Sequence, residues 1–231
     1  MTPDCVISRN EINGQVSFIS EQTEWQHKWE KYLLTYDVEY HESLKLISKR
    51  QLKRAVNLAV STWNFEIPIK FKSAWNTKAD IEIRFKTKDE DSYFKERPSV
   101  LAYAYYPKTS KQGQVVFNAS YIWDLKGRGI KGKDAIKKGL VENVSYPENI
   151  LKTYNLYAVL IHELGHTLGL KHDVTGAQDG ADIMDPYYSV DNLDLSDRDI
   201  YRIRVKYGVR TWDRFSFYNI VKRWLSLAIR R

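Results

Sequence analysis

The stretch His162-Glu163-Leu164-Gly165-His166-Thr167-Leu168-Gly169-Leu170-Lys171-His172 gathers three of the chain's five histidines. His162 and His166 are four apart, so on a helix both imidazoles leave the same face, one turn from each other. That spacing suits two nitrogen ligands of one tetrahedral zinc ion. Glu163, one residue on, lies beside that face, where it reaches a metal-bound water without ligating. Gly169 can take a left-handed conformation that ends the helix and turns the chain, bringing His172 round as the third ligand. Three protein ligands with a fourth position left for water describe a catalytic zinc site, not a structural one. A helix that carries histidines by chance can match the four-residue spacing. It does not also supply a glycine and a third histidine at these offsets.

On the carboxyl side, Met184 follows His172 by twelve residues in Ile183-Met184-Asp185-Pro186, a candidate apolar floor under the metal. On the amino side, the zinc helix is predicted over about 152–168. Ser48 with Gln51 forms a capping box for a helix whose Leu52, Ala55, Val56, Ala59, Val60 and Trp63 recur on one face. Residues 33–40 read as a strand. So do Ile67, Ile69 and Phe71, Ile81, Ile83 and Phe85, then 100–106 and 114–117. Between 124 and 149, four glycines among lysines suggest a mobile surface insertion. Ser196 with Asp199 caps a last helix that Gly208 ends. A helix among several strands followed by two later helices gives an α+β class.

Composition limits the alternatives. The 231 residues are 43% hydrophobic, enough to bury a core. The single cysteine, Cys5, excludes an intrachain disulfide framework and a multi-cysteine zinc site. No run of eighteen apolar residues exists for a membrane-spanning helix, and Asp4, Arg9, Asn10 and Glu11 interrupt any signal-peptide core. The net charge of +7 is localised: 202–231 hold nine basic residues and one acid, and 126–138 hold six and one. The rest of the chain is net acidic. Charge alone, without a binding motif, argues against nucleic acid.

The pattern HExxHxxGxxH with a later methionine turn is the metzincin signature, and further segments resemble the matrixins, the matrix-metalloproteinase-like branch. Trp29-Glu30-Lys31-Tyr32-Leu33-Leu34-Thr35-Tyr36 is similar to the family's opening W-x-K-x-x-L-T-Y. Ala79-Asp80-Ile81-Glu82-Ile83-Arg84-Phe85 resembles ADIxIxF. Leu101 to Tyr105 and Gly113 to Trp123 stand where LAHAF and GxxHFDxxxxW are expected. Leu195-Ser196 to Tyr207-Gly208 resembles the closing helix. The likeness implies a twisted, mainly parallel five-stranded sheet with three main helices and an active-site cleft. It implies one catalytic zinc on His162, His166 and His172, Glu163 as catalytic base, and Met184, Pro186 and Tyr188 at the methionine turn and specificity pocket. Extended protein or peptide substrates would lie along the edge strand 100–105.

The sequence also departs from that family. Its structural-zinc histidines fall on Tyr103 and Val116, so no structural zinc is expected. An acidic calcium ligand falls on Asn118, which argues against calcium there. Aromatic packing by Tyr103, Tyr105 and Tyr106 is the expected replacement. The organisation implied is an amino-terminal extension over 1–28, a catalytic domain over 29–208 with the insertion at 124–149, and a basic amphipathic tail over 209–231. Pro3-Asp4-Cys5-Val6 faintly resembles the family's cysteine switch, making Cys5 a candidate latency thiol. Phe217, Ile220, Val221, Trp224, Leu225 and Ala228 fall at helical spacing beside basic residues. An anionic membrane or polyanion is therefore a candidate partner for the tail. The expected function is a zinc-dependent endopeptidase in which Glu163 activates zinc-bound water. The alternative is a silent metzincin-fold binding module targeted by the tail. Extracellular action follows from the resemblance alone.

Overall fold

The computed structural model describes residues 4–7, 26–74, 78–143, 145, 148–173 and 182–210. The elements run β1 (Asp4–Ile7), β2 (Leu33–Val38), α1 (Lys49–Glu66), β3 (Lys70–Ser73), β4 (Ile81–Lys86), α2 (Ser92–Glu96), β5 (Val100–Ala104) and β6 (Gln114–Asn118). There follow β7 (Trp123–Asp124), β8 (Ile130–Lys131), α3 (Gly132–Lys137), β9 (Ile150–Leu151), β10 (Tyr154–Asn155), α4 (Leu156–Thr167) and α5 (Asp197–Tyr207).

The main sheet has the order β1-β5-β6-β4-β2-β3. Strands β3, β2, β4 and β6 are mutually parallel, and β5 is antiparallel to β6. These are the five expected strands. The sixth is the amino-terminal β1, which pairs antiparallel with β5, Cys5 opposite Tyr103 and Asp4 opposite Ala104. The edge that the sequence left open is therefore covered by the chain's own beginning. No described helix is long and apolar enough to cross a membrane.

Helix α1 begins at the Ser48–Gln51 capping box, and its stripe Leu52, Ala55, Val56, Ala59, Val60 and Trp63 is buried. The stripe faces α4, where the Trp63 indole donates to the Ile161 carbonyl at 2.9 Å. The second expected strand starts later than the alternation suggests. Ile67 and Ile69 are buried in the turn after α1, and pairing with β2 begins only at Lys70. Ile81, Ile83 and Phe85 are buried along β4 as the alternation requires.

Two further boundaries move. Helix α4 starts at Leu156, four residues after the predicted start, because the Asn155 side chain accepts from the Tyr157 and Ala158 N–H groups. That is an N-cap, and it satisfies donors left free at a helix start. The insertion is folded where described: it carries α3 and β8, which pairs with β9 just past its end. It roots on the Asp124 carboxylate, which accepts from Lys126 N–H and the Thr153 hydroxyl. The carboxyl-terminal tail beyond Arg210 lies outside the described residues. Arg210 itself donates to the Ile67 and Ile69 carbonyls, docking the start of that segment on the end of α1.

The two ends of the 29–208 body are tied across α4. The Trp29 indole donates to the Thr167 carbonyl at 2.7 Å, and the Tyr207 hydroxyl donates to the Leu168 carbonyl at 2.9 Å. The last carbonyls of a helix have no partner within it, so these side chains fix how α4 ends.

Candidate metal centre and active-site cleft

Every residue of α4 is buried, so its two histidines leave the helix into a closed environment. Gly169 follows with φ +90°, the left-handed turn expected there. A Cβ at this position would stand 1.8 Å from the His27 carbonyl oxygen, so backbone packing as well as conformation demands glycine. The turn returns His172 to the helix, and the three histidines form one cluster.

The cluster's hydrogen bonds fix its chemistry. His162 Nδ1 is 2.6 Å from the Ile183 carbonyl and His166 Nδ1 is 2.7 Å from the Leu170 carbonyl. A carbonyl oxygen only accepts, so both Nδ1 atoms carry the proton and both Nε2 atoms present a lone pair. His172 Nε2 lies 3.2 Å from each of those two Nε2 atoms. A single N–H on His172 can satisfy one lone pair but not two. A cation among the three nitrogens satisfies all of them. Tetrahedral zinc with Zn–N near 2.0–2.1 Å requires nitrogens roughly 3.3 Å apart, close to the spacing found. Burial pushes all three imidazoles below their ordinary value of 6.5, His166 down to about 4. Neutral imidazole is the ligating form, and the donor set fits zinc.

Met184 is fully buried. A Cβ on Gly165 would stand 2.4 Å from its sulfur, so Met184 packs directly against the helix between the two histidines. Asp199 of α5 holds this turn: its carboxylate accepts from Ile183 N–H at 2.8 Å and from Met184 N–H at 3.4 Å. The same carboxylate closes the α5 capping box with Ser196. Glu163 is fully buried, one residue beyond His162.

A small cavity of about 20 Å³ opens beside His162, between Ala158 and Val159 of α4 and the segment 182–192. Tyr187 and Tyr188 line it with Asp182 and Asp185. Pro186 is buried but is not among the lining residues. The Tyr188 hydroxyl accepts from Asn155 N–H at 2.9 Å, and its ring packs edge-on against Tyr154. Burial pushes the phenol up to about 12, so it stays protonated.

Several residues at this site were not legible in advance. Tyr106 packs edge-to-face on the His166 ring at 5.7 Å and stacks on His27 at 5.0 Å, apart from the aromatic cluster expected to include it. That cluster consists of Tyr93, Phe94, Tyr103 and Tyr105, with the Tyr103 hydroxyl donating to Asp91 at 2.8 Å. Asn118 serves locally, donating to the Val100 carbonyl and accepting from Ser120 N–H. The Cys5 side chain lies outside the described residues.

With this geometry in hand, comparison with known proteins is decisive. Residues 28–208 match the matrixin family. The chain is a matrixin. Matrix metalloproteinase-26 of Homo sapiens is 30% identical over 187 residues, 78% of this chain and 60% of that protein. Macrophage metalloelastase of Oryctolagus cuniculus is 30% identical over 186 residues, 78% of the chain and 33% of that protein. Neutrophil collagenase of Homo sapiens is 28% identical over 187 residues, 79% of the chain and 34% of that protein. This matrixin thus spans three fifths or less of these relatives. Its family is one of zinc metalloendopeptidases, and its three-histidine cluster is the donor set such an enzyme needs.

Proposed function

We propose that this matrixin hydrolyses internal peptide bonds of extended protein substrates, with His162, His166 and His172 holding one zinc ion and Glu163 as the catalytic base. The observation that carries the reading is the meeting of two Nε2 atoms from a buried helix with that of His172 from the segment beyond it, with Glu163 one residue along from His162. Zinc, when bound, supplies a Lewis acid that polarises the scissile carbonyl. Glu163 takes a proton from the attacking water and delivers it to the leaving amine. The carbonyls of Ile183 and Leu170 keep two imidazoles in the ligating tautomer throughout. Tyr188 and the 182–192 segment line the cavity that would receive one substrate side chain next to the scissile bond.

An extended substrate would add to β5 as a further strand, its backbone pairing and its alternate side chains reaching pockets. The chain's own Asp4–Ile7 stands on that edge. Cleavage therefore requires β1 to leave, which makes the 1–28 extension a latency segment and Cys5 its candidate thiol. The matrixin body over 29–208 carries the chemistry. The basic tail over 209–231 would hold the enzyme at an anionic membrane or polyanion. The experiment is zinc content together with cleavage of a quenched peptide library by the wild type and Glu163→Ala. Zinc binding with cleavage in the wild type, and zinc binding without cleavage in the variant, is the expected result. Cleavage unchanged in the variant would overturn the assignment.

A further inference from the structure

Two of the three metal-ligating histidines are held by backbone carbonyls, His166 by Leu170 just beyond α4 and His162 by Ile183 of the 182–192 segment. His172 lies on an irregular segment beyond the helix and needs another anchor. Both of its neighbours in sequence are gripped by one side chain. Arg202 of α5 donates through Nη2 to the Lys171 carbonyl at 2.9 Å, and its Nη1 lies 3.4 Å from the Asp173 carboxylate. Arg198, one turn earlier on the same helix, pairs with the same carboxylate oxygen. Asp173 is nearly buried, and its own N–H donates to the Met184 carbonyl at 2.8 Å. A buried carboxylate demands such partners. The planar guanidinium can serve a carboxylate and a carbonyl at once, which a lysine ammonium on a flexible stem does poorly.

We propose that Arg202 is the positioning residue for the third metal ligand, clamping Lys171 and Asp173 on either side of His172 so that its Nε2 meets those of His162 and His166 before any metal arrives. The clamp lowers the entropy lost when the ligand set closes, which raises zinc affinity without touching the metal. Residues behind metal ligands are worth roughly 10–100-fold in affinity. Arg204, on the same helix, provides the matched comparison: it pairs with Glu66 of α1 at 2.6 Å, away from the histidines. Losing it removes the same charge and a buried ion pair, but no contact with the His172 segment.

The inference rests on the three-histidine reading, so the test begins with zinc affinity of the full-length wild type by competition with a chromogenic chelator. Arg202→Ala is expected to lower that affinity about 10–100-fold, Arg202→Lys to recover part of it, and Arg204→Ala to stay within twofold of wild type. The cobalt(II)-loaded Arg202→Ala protein should show weaker tetrahedral absorption as His172 drifts away. Asp173→Asn, which keeps the backbone but weakens the clamp, provides the same readout should Arg202→Ala not fold. Equal affinities for wild type, Arg202→Ala and Asp173→Asn would overturn the positioning role alone. An equal loss in Arg204→Ala would reduce it to general stability. A wild type that takes up no zinc would refute the metal centre itself.

Discussion

Gly165 and Met184 meet so closely that a single methyl on Gly165 would stand 2.4 Å from the Met184 sulfur. Trp63 closes the other side, 3.0 Å from the same position. Gly165→Ala should therefore overpack this contact and destabilise the fold by about 1–3 kcal/mol. Thermal unfolding measures it; an unshifted midpoint would show that Met184 moves aside freely.

The turn at Gly169 is more demanding. A side chain there meets both a positive φ and the His27 carbonyl at 1.8 Å. Gly169→Ala should displace His172 as well as the His27 backbone, so zinc affinity and melting temperature fall together. Retention of zinc affinity at wild-type level would contradict the turn's role in presenting the third ligand.

Glu163 is proposed to move protons and not to hold the metal. Glu163→Gln should keep a stoichiometric zinc ion and lose activity by roughly 10²–10⁴-fold in kcat. Loss of zinc in parallel with activity would instead make Glu163 part of the binding set.

Acid should destabilise the metal-free protein. Burial lowers all three histidines in the fold, His166 to about 4 from 6.5. Between those values the unfolded chain takes up protons that the folded chain refuses. The stabilisation is thus complete above pH 6.5 and is lost as pH falls towards 4. His166 alone contributes a loss on the order of 2 kcal/mol at pH 5. Melting of chelator-treated protein from pH 7.5 to 5 is the measurement, and a flat profile would refute the buried, neutral cluster.

Because β1 lies on β5 with Cys5 opposite Tyr103, shortening the chain to begin at Glu24 should raise kcat/KM on extended peptides. Cys5→Ser in the full chain separates the two modes of latency. An increase matching that of the shortened chain assigns inhibition to the thiol, whereas an increase in the shortened chain alone assigns it to strand pairing. A shortened chain no more active than the full one would sink the latency assignment.

Much of the site follows from local rules. The four-residue spacing of His162 and His166, the left-handed Gly169 and the Ser48 and Ser196 caps depend on neighbours within a turn or two. The strand periods of Ile81, Ile83 and Phe85 are equally local. The start of α4 differs from the expected one because nothing local in Lys152 to Asn155 distinguishes pairing with β7 from a helical turn; the Asn155 cap decides it. Adjacency in sequence places Tyr106 with Tyr103 and Tyr105. Beyond the end of β5 it instead turns to His166.

The sequence by itself marked the three candidate metal ligands, the candidate base beside them, the helix that carries two of them and the succession of the main strands along the chain, because each is set by spacing along a few consecutive residues. Only the tertiary structure decided what stands behind those ligands. Arg202 reaches across 29 positions to Asp173, Asp199 reaches 16 to Ile183, and Trp29 reaches 138 to Thr167. It also decided that β1 covers the edge of β5. Such contacts are chosen by how buried polar groups and exposed strand edges find partners once the core has closed, and no periodicity in the chain records that choice.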